Sequence, residues 1–110
     1  LLNDGANENR RILKKSTTDD MIRFQYTESN RPVNVPSPKK LNSGIYWATK
    51  MGGAAMGHNG SDPGVRTFML ADLNKEVGVI IFFNTSMTDE EEIKYFNIYT
   101  TLYKLGSILK

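Results

Sequence analysis

The eight residues GHNGSDPG, 57 to 64, hold the single histidine of the chain between two glycines and lead into a proline–glycine turn. Histidine can pass a proton near neutral pH, or orient a neighbouring group by hydrogen bonding. Glycines around it let a substrate or a second stretch of backbone come close, because no Cβ stands in the way. A strand ending in G-H-x-G exposes His58 toward a cleft and leaves backbone N–H groups near Ser61 free. Free N–H groups beside a cleft are the raw material of an oxyanion hole. On spacing alone, the same pattern suits a histidine that makes only structural hydrogen bonds, and that is the commoner case.

Composition removes several other chemistries. Cysteine is absent, so there is no disulfide framework and no thiolate metal site. One histidine without clustered carboxylates argues against zinc, and nothing calls for a metal or a cofactor. Net charge is +2, from 14 basic and 12 acidic residues in mixed order, which gives no electrostatic footprint for nucleic acid or an anionic membrane. The longest apolar run, VGVIIFF (77–83), is far shorter than the ~20 residues of a membrane span. The opening LLNDGANENRR has neither the basic start nor the apolar run of a signal peptide. It has no initiator Met and reads as a helix end followed by a turn, so the expectation is a chain cut from something longer. A length of 110 residues sets the expectation of one domain, 1–110.

The elements that must position His58 follow from periodicity and turn chemistry. NDGANEN (3–9) reads as a loop and RRIL (10–13) as a short apolar-bearing piece. Ser16 reads as the N-cap of a short helix from about Thr17 to Phe24, with Asp19 as a weaker capping-box partner. Pro32, Pro36 and Pro38 exclude helix or central strand from 25–43, leaving a surface connection. GIYWATK (44–50) reads as a strand, GG (52–53) as a tight return and AAMGHNG (54–60) as the next strand. VRTFMLAD (65–72) alternates Val65, Thr67 and Met69 against Arg66, Phe68 and Leu70. DLNKE (72–76) is a hairpin turn. VGVIIFFN (77–84) is apolar on both faces, as a central strand covered on each side would be. Thr88 and Glu91 form a capping box for a C-terminal helix. Its apolar stripe is Ile93, Phe96, Tyr99, Leu102, Leu105 and Leu109, widened by Tyr95, Ile98 and Tyr103. Gly106 weakens its last turn. The order is short helix, loop, three or four antiparallel strands, long helix, which is an α+β fold.

Residues 56–84 resemble the C-terminal part of the β-lactamase-related serine hydrolases, the group of class C β-lactamases, penicillin-binding D-Ala-D-Ala peptidases and related esterases. The resemblance rests on HNG, SDPG, VRTFMLAD and KEVGVIIFFN in that order. They stand where the family has a K/H-[TSN]-G motif, a turn, and a hairpin ending in Asn. LLNDGANENRRILKKSTTDDMI and SGIYWATK resemble the segments that precede the motif in that family, so the likeness spans nearly the whole chain. It implies the C-terminal portion of a β-lactamase/transpeptidase-like fold, in which the terminal helix packs on one sheet face and a helical domain covers the cleft. It implies that His58 takes the Lys/His position, orienting or polarising the catalytic network and helping to bind substrate. Asn59 and Gly60 complete the motif, and Gly60 lets substrate lie against the strand. The Ser61 N–H becomes an oxyanion donor. The implied reaction passes through an acyl-enzyme on an ester, amide or peptidoglycan-like substrate, without a cofactor. An extracytoplasmic or periplasmic location follows from the same likeness.

The family's nucleophile lies in an S-x-x-K motif in the N-terminal half, followed by Y-x-N or S-x-N. Literal matches here are SPKK (Ser37–Lys40), SILK (Ser107–Lys110) and YFN (Tyr95–Asn97). They fall in the proline-rich loop, the last turn and the C-terminal helix, which are the wrong contexts. The expectation is therefore one wall of an active site, with its nucleophile outside the chain. A non-catalytic binding or interaction module that kept the fold is the alternative, and a plain α+β domain with an accidental motif is the third reading. Without a covering half, strand 77–84 presents an unpaired apolar edge. That edge is expected to form a homodimer or to be buried under the N-terminal segment.

Overall fold

The computed structural model describes residues 3–109. The chain opens with a two-residue hairpin, β1 (Ala6–Asn7) and β2 (Arg10–Arg11), followed by the helix α1 (Lys15–Ile22). α1 begins and ends two residues earlier than its sequence suggests. Lys14 occupies the N-cap without any side-chain cap, and Ser16 lies inside the helix. The Asp19 carboxylate does not fold back on Ser16. It takes the Lys15 ammonium one turn away, at 2.7 and 2.9 Å. The chain leaves the helix as Arg23 turns to extended backbone, its N–H still donating to the Asp19 carbonyl at 3.0 Å.

Residues 25–43 form no helix or named strand, as their prolines require. Order comes from Asn42, which is buried. Its side-chain oxygen accepts from the N–H of Tyr26 and of Ser43, each at 2.9 Å. Its amide nitrogen donates to the carbonyls of Tyr26 (2.8 Å) and Pro38 (3.0 Å). A buried amide with all its bonds made is an effective staple for a loop that has no ladder of its own.

The strand expected over 44–50 is shorter. β3 is Ala48–Lys50 only. Ahead of it the Gly44 N–H donates to the Trp47 carbonyl at 2.6 Å, and Tyr46 adopts φ +63°, so the chain turns there instead of running extended. After a 3₁₀ turn at Met51–Gly53 come β4 (Ala55–Asp62), β5 (Val65–Asp72), β6 (Gly78–Phe83) and the helix α2 (Asp89–Ile108). β3 to β6 form one antiparallel meander in sequence order, and the fold class is α+β. The capping box of α2 is present as expected. The Thr88 hydroxyl accepts from the Glu91 N–H, and the Glu91 carboxylate accepts from the Thr88 N–H at 2.9 Å. That bond is the main reason the Glu91 carboxyl is held below the usual carboxylate range.

Strand alternation divides the sheet into two unlike faces. Leu70, Val79 and Ile81 meet Tyr95 and Tyr99 of α2 in the core, with Phe68 and Phe83 packed against them. The Phe68 ring lies edge-on to Tyr95 at 4.7 Å, the favoured arrangement for two aromatic quadrupoles. On the opposite face Ile80 and Phe82 are 61% and 75% exposed. The expectation that 77–84 is covered on both sides therefore fails. Among the described residues β6 is the last strand and pairs only with β5, and it has one face on α2 and one face open. Among the described residues, no strand of the N-terminal segment pairs with its outer edge.

The helix stripe is also turned from its expected position. Tyr95 and Tyr99 are buried and Tyr103 packs beside them, whereas Ile93, Phe96, Leu102, Leu105 and Leu109 are exposed. The ring contacts to Phe68 and Phe83 select the tyrosine face. Gly106 stands over Val77, where a Cβ would come within 2.9 Å of a methyl, so a residue that weakens the helix also allows its close approach. The radius of gyration is 15.5 Å, against about 13 Å for a closed domain of this length. The open sheet face and the long connection account for the difference. Lys75, in the β5–β6 turn, joins the N-terminal elements to the sheet through Asp4 (2.9 Å) and Asp19 (3.5 Å). The hydrogen bond to Asp4 is the main cause of its raised pKa.

Candidate functional site

β4 carries all four residues singled out by the sequence, and its pairing fixes where each points. His58, Met69 and Ile80 lie in one row across β4, β5 and β6, and Asn59, Phe68 and Ile81 in the next. Phe68 and Ile81 belong to the α2 side, so Asn59 shares that side and His58 occupies the open face. Both are exposed, as is Ser61. The motif thus straddles the strand instead of gathering on one face.

The main chain brings the two sides together at an edge. β3 pairs with β4 only from Ala55 to Gly57. Thr49 donates its N–H away from β4, to the Asn42 carbonyl at 2.9 Å, so the bonded pairs of β3 with β4 are those at Ala55 and Gly57. Alternation then turns the main-chain groups of Asn59 and Ser61 to the same side. The two-residue hairpin Asp62–Val65, closed over Pro63–Gly64, gives the same parity from the other end. Beyond Gly57 that side has no strand partner among the described residues. Asn59 and Ser61 therefore present N–H groups along an open edge about 7 Å long. Gly60 lies between them, where an added Cβ would meet only the Thr67 hydroxyl, at 2.7 Å.

Two neighbours escaped sequence reasoning. The Trp47 ring lies 5.7 Å from the His58 ring, tilted by 58°. The Lys50 ammonium donates to the Asn59 side-chain oxygen at 2.6 Å. The first follows from the register once β3 is hairpinned on β4 about Met51–Gly53, because Trp47 then falls opposite His58; Lys50 is paired with Ala55 and reaches Asn59 through its long side chain.

The literal nucleophile motifs lie elsewhere. The Ser37 carbonyl accepts from the N–H of Lys40 and of Leu41 in a turn, not a helix. That turn abuts Gly53, at the end of β4 remote from Ser61. The Ser107 hydroxyl donates to the Tyr103 carbonyl at 2.9 Å in the last turn of α2, and Lys110 lies outside the described residues. Tyr95 is in the core on the α2 side, opposite the face of His58. Among the described residues no group of three His, Cys, Asp or Glu could hold a metal ion, and no helix is long and apolar enough to cross a membrane.

Tyr95 makes its own prediction. Its hydroxyl is buried without a hydrogen-bond partner among the described residues, and burial pushes its pKa up to about 12. Leaving such a group unsatisfied costs about 1–3 kcal/mol, so Tyr95→Phe is expected to be neutral or stabilising. Urea unfolding checks this, and a loss above about 1 kcal/mol contradicts it.

The Arg66 guanidinium pairs with Glu92 at 3.0 Å, and the Gly64 N–H donates to the Ser86 hydroxyl at 2.9 Å. These contacts fix the Asp62–Val65 hairpin, and so the end of the open edge, against the start of α2. Comparison with models of known families, with curated proteins and with solved structures finds no match to this chain.

Proposed function

We propose that the chain is the C-terminal segment of a β-lactamase-related serine hydrolase, acting through an acyl-enzyme on an ester, amide or peptidoglycan-like acyl substrate. The observation that carries this reading is the open edge of β4, with the Ser61 N–H turned outward and His58 beside it. In the reaction a serine outside residues 1–110 gives its proton to a base, also outside these residues, as its oxygen adds to the substrate carbonyl carbon and the carbonyl oxygen gains negative charge; on collapse the bond to the alcohol or amine breaks, and that leaving group takes up the proton. The Ser61 N–H donates to that oxygen, where a preorganised donor is most effective. His58 orients the catalytic network from the open face. Gly60 keeps the edge free of side-chain bulk, and Asn59, held by Lys50, bounds the substrate on the other side.

The competing reading, a binding module that kept the fold and lost the chemistry, is favoured by one observation. Neither S-x-x-K match lies near the open edge. Turnover separates the two readings. The 110-residue chain alone is expected to hydrolyse neither p-nitrophenyl esters nor nitrocefin above background, while the protein extended by the residues encoded upstream of Leu1 hydrolyses one of them. An inert extended protein supports the binding module. Turnover by the chain alone that disappears on Ser37→Ala or Ser107→Ala overturns the exclusion of those serines.

The reading also includes self-association of the isolated chain through the outer edge of β6, an uncharged strand with Ile80 and Phe82 exposed beside it. Light scattering after size exclusion is expected to give a dimer, and a monomer at tens of micromolar contradicts it.

A further inference from the structure

The open face of the sheet has a stepped floor. Across one row the side chains run Met56, Ala71, Gly78, and across the next His58, Met69, Ile80. Ala71 and Gly78 leave a depression that the larger neighbours wall. Its volume is about 380 Å³, and it is lined by Trp47, Met56, Met69, Ala71 and Ile80 among others, with no charged side chain. That volume is within the range of small-ligand sites. His58 is at its rim, held there by the Trp47 ring.

We propose that this hollow is an acyl-chain socket, which receives the apolar chain of a medium-length carboxylic acyl group whose carbonyl end is directed toward His58. The proposal rests on the hydrolase reading and names the substrate class within it. Three observations select an acyl chain. The floor is made by two small residues side by side, Ala71 and Gly78, with larger side chains around them. Its walls are a tryptophan, two methionines and an isoleucine, which offer mainly dispersion contacts, with the Trp47 indole N–H as their one conventional hydrogen-bond donor. A charged or amide-rich acyl group would lose its hydration there without replacement. Along β4 the hollow continues directly into His58 and then the Gly60–Ser61 edge, so a chain seated in it leads to the proposed reacting centre.

Trp47 is the single tryptophan of the chain, so its fluorescence reports the socket directly. The isolated chain is titrated with sodium octanoate and with sodium propionate while Trp47 emission is recorded. Saturable binding of octanoate is expected, about a thousandfold tighter than propionate if all five additional methylenes are buried and at least about thirtyfold tighter if only two or three are, since each buried methylene contributes about fourfold. Met69→Asp and Ile80→Asp are expected to abolish it with the circular dichroism spectrum unchanged. Ile80 is 61% exposed, so its replacement remains informative if Met69→Asp disturbs folding. Phe82→Asp, on the same face and outside the lining, is expected to leave binding intact. The socket is overturned by the absence of saturable binding, by equal affinity for the two acids, or by equal loss in Phe82→Asp, which would mean general adhesion to an apolar face that another macromolecule covers. Because binding needs no nucleophile, the two proposals fail separately. Octanoate binding with an inert extended protein removes the hydrolase reading alone, and hydrolysis without chain-length preference removes the socket alone.

Discussion

Gly57→Ala is expected to cost about 3 kcal/mol or more, whereas Gly60→Ala costs less than about 1 kcal/mol. The sequence motif draws attention to Gly60, but the fold depends on Gly57. Gly57 sits at φ +153°, and a Cβ there would collide with the Met69 carbonyl oxygen and crowd the Leu70 backbone. Neither neighbour can move without breaking the β4–β5 ladder, whose centre packs on Leu70, a residue 1% exposed. At Gly60 the nearest obstacle is the Thr67 hydroxyl, which a rotamer change removes. Urea midpoints of the two variants decide this. If the glycine demand is instead catalytic, as the substrate-edge role of Gly60 requires, Gly60→Ala raises KM in the extended protein while leaving its unfolding midpoint near wild type. Equal destabilisation by both substitutions would refute the distinction.

His58→Ala is expected to lower acylation in the extended protein by about 10²- to 10³-fold. Its stability cost is expected to be below about 1.5 kcal/mol, the upper range for one aromatic pair. His58 is exposed and, among the described residues, has a single ring contact, with Trp47, so little of the core depends on it. Single-turnover acylation against the urea midpoint separates the two effects. Unfolding without a separable kinetic change would return His58 to a purely structural role, which its local sequence pattern also allows.

The parts of this fold that could be read from the sequence are those where local chemistry and tertiary packing agree. The Thr88–Glu91 box, the Pro63–Gly64 hairpin and the alternation of 65–72 each specify their own geometry within a few residues. The failures have a common cause. VGVIIFF and the C-terminal helix carry more apolar surface than this chain covers, so their patterns do not say which face is buried. Packing on β6 picked Tyr95 and Tyr99 over Leu102 and Leu105 because the rings of Phe68 and Phe83 were there to meet them. At α1, a Lys15–Asp19 pair one helical turn apart displaced the expected Ser16 cap. Within the candidate site His58, Asn59, Gly60 and Ser61 were legible as a group. Their division between two faces and an edge was not, since it depends on where β3 stops. Trp47 could have been found only by pairing β3 with β4 first, and Lys50, which the register sets opposite Ala55, not even then.

The central claim is that residues 58–61 form the oxyanion side of a site whose nucleophile lies outside residues 1–110. The most direct test is to label the protein extended by the residues encoded upstream of Leu1 with a fluorophosphonate and locate the adduct by mass spectrometry. A single modified serine in an S-x-x-K segment upstream of Leu1, with labelling slowed by His58→Ala, is the result this account requires. An adduct on Ser37, Ser61 or Ser107, or no adduct at any serine, would contradict it.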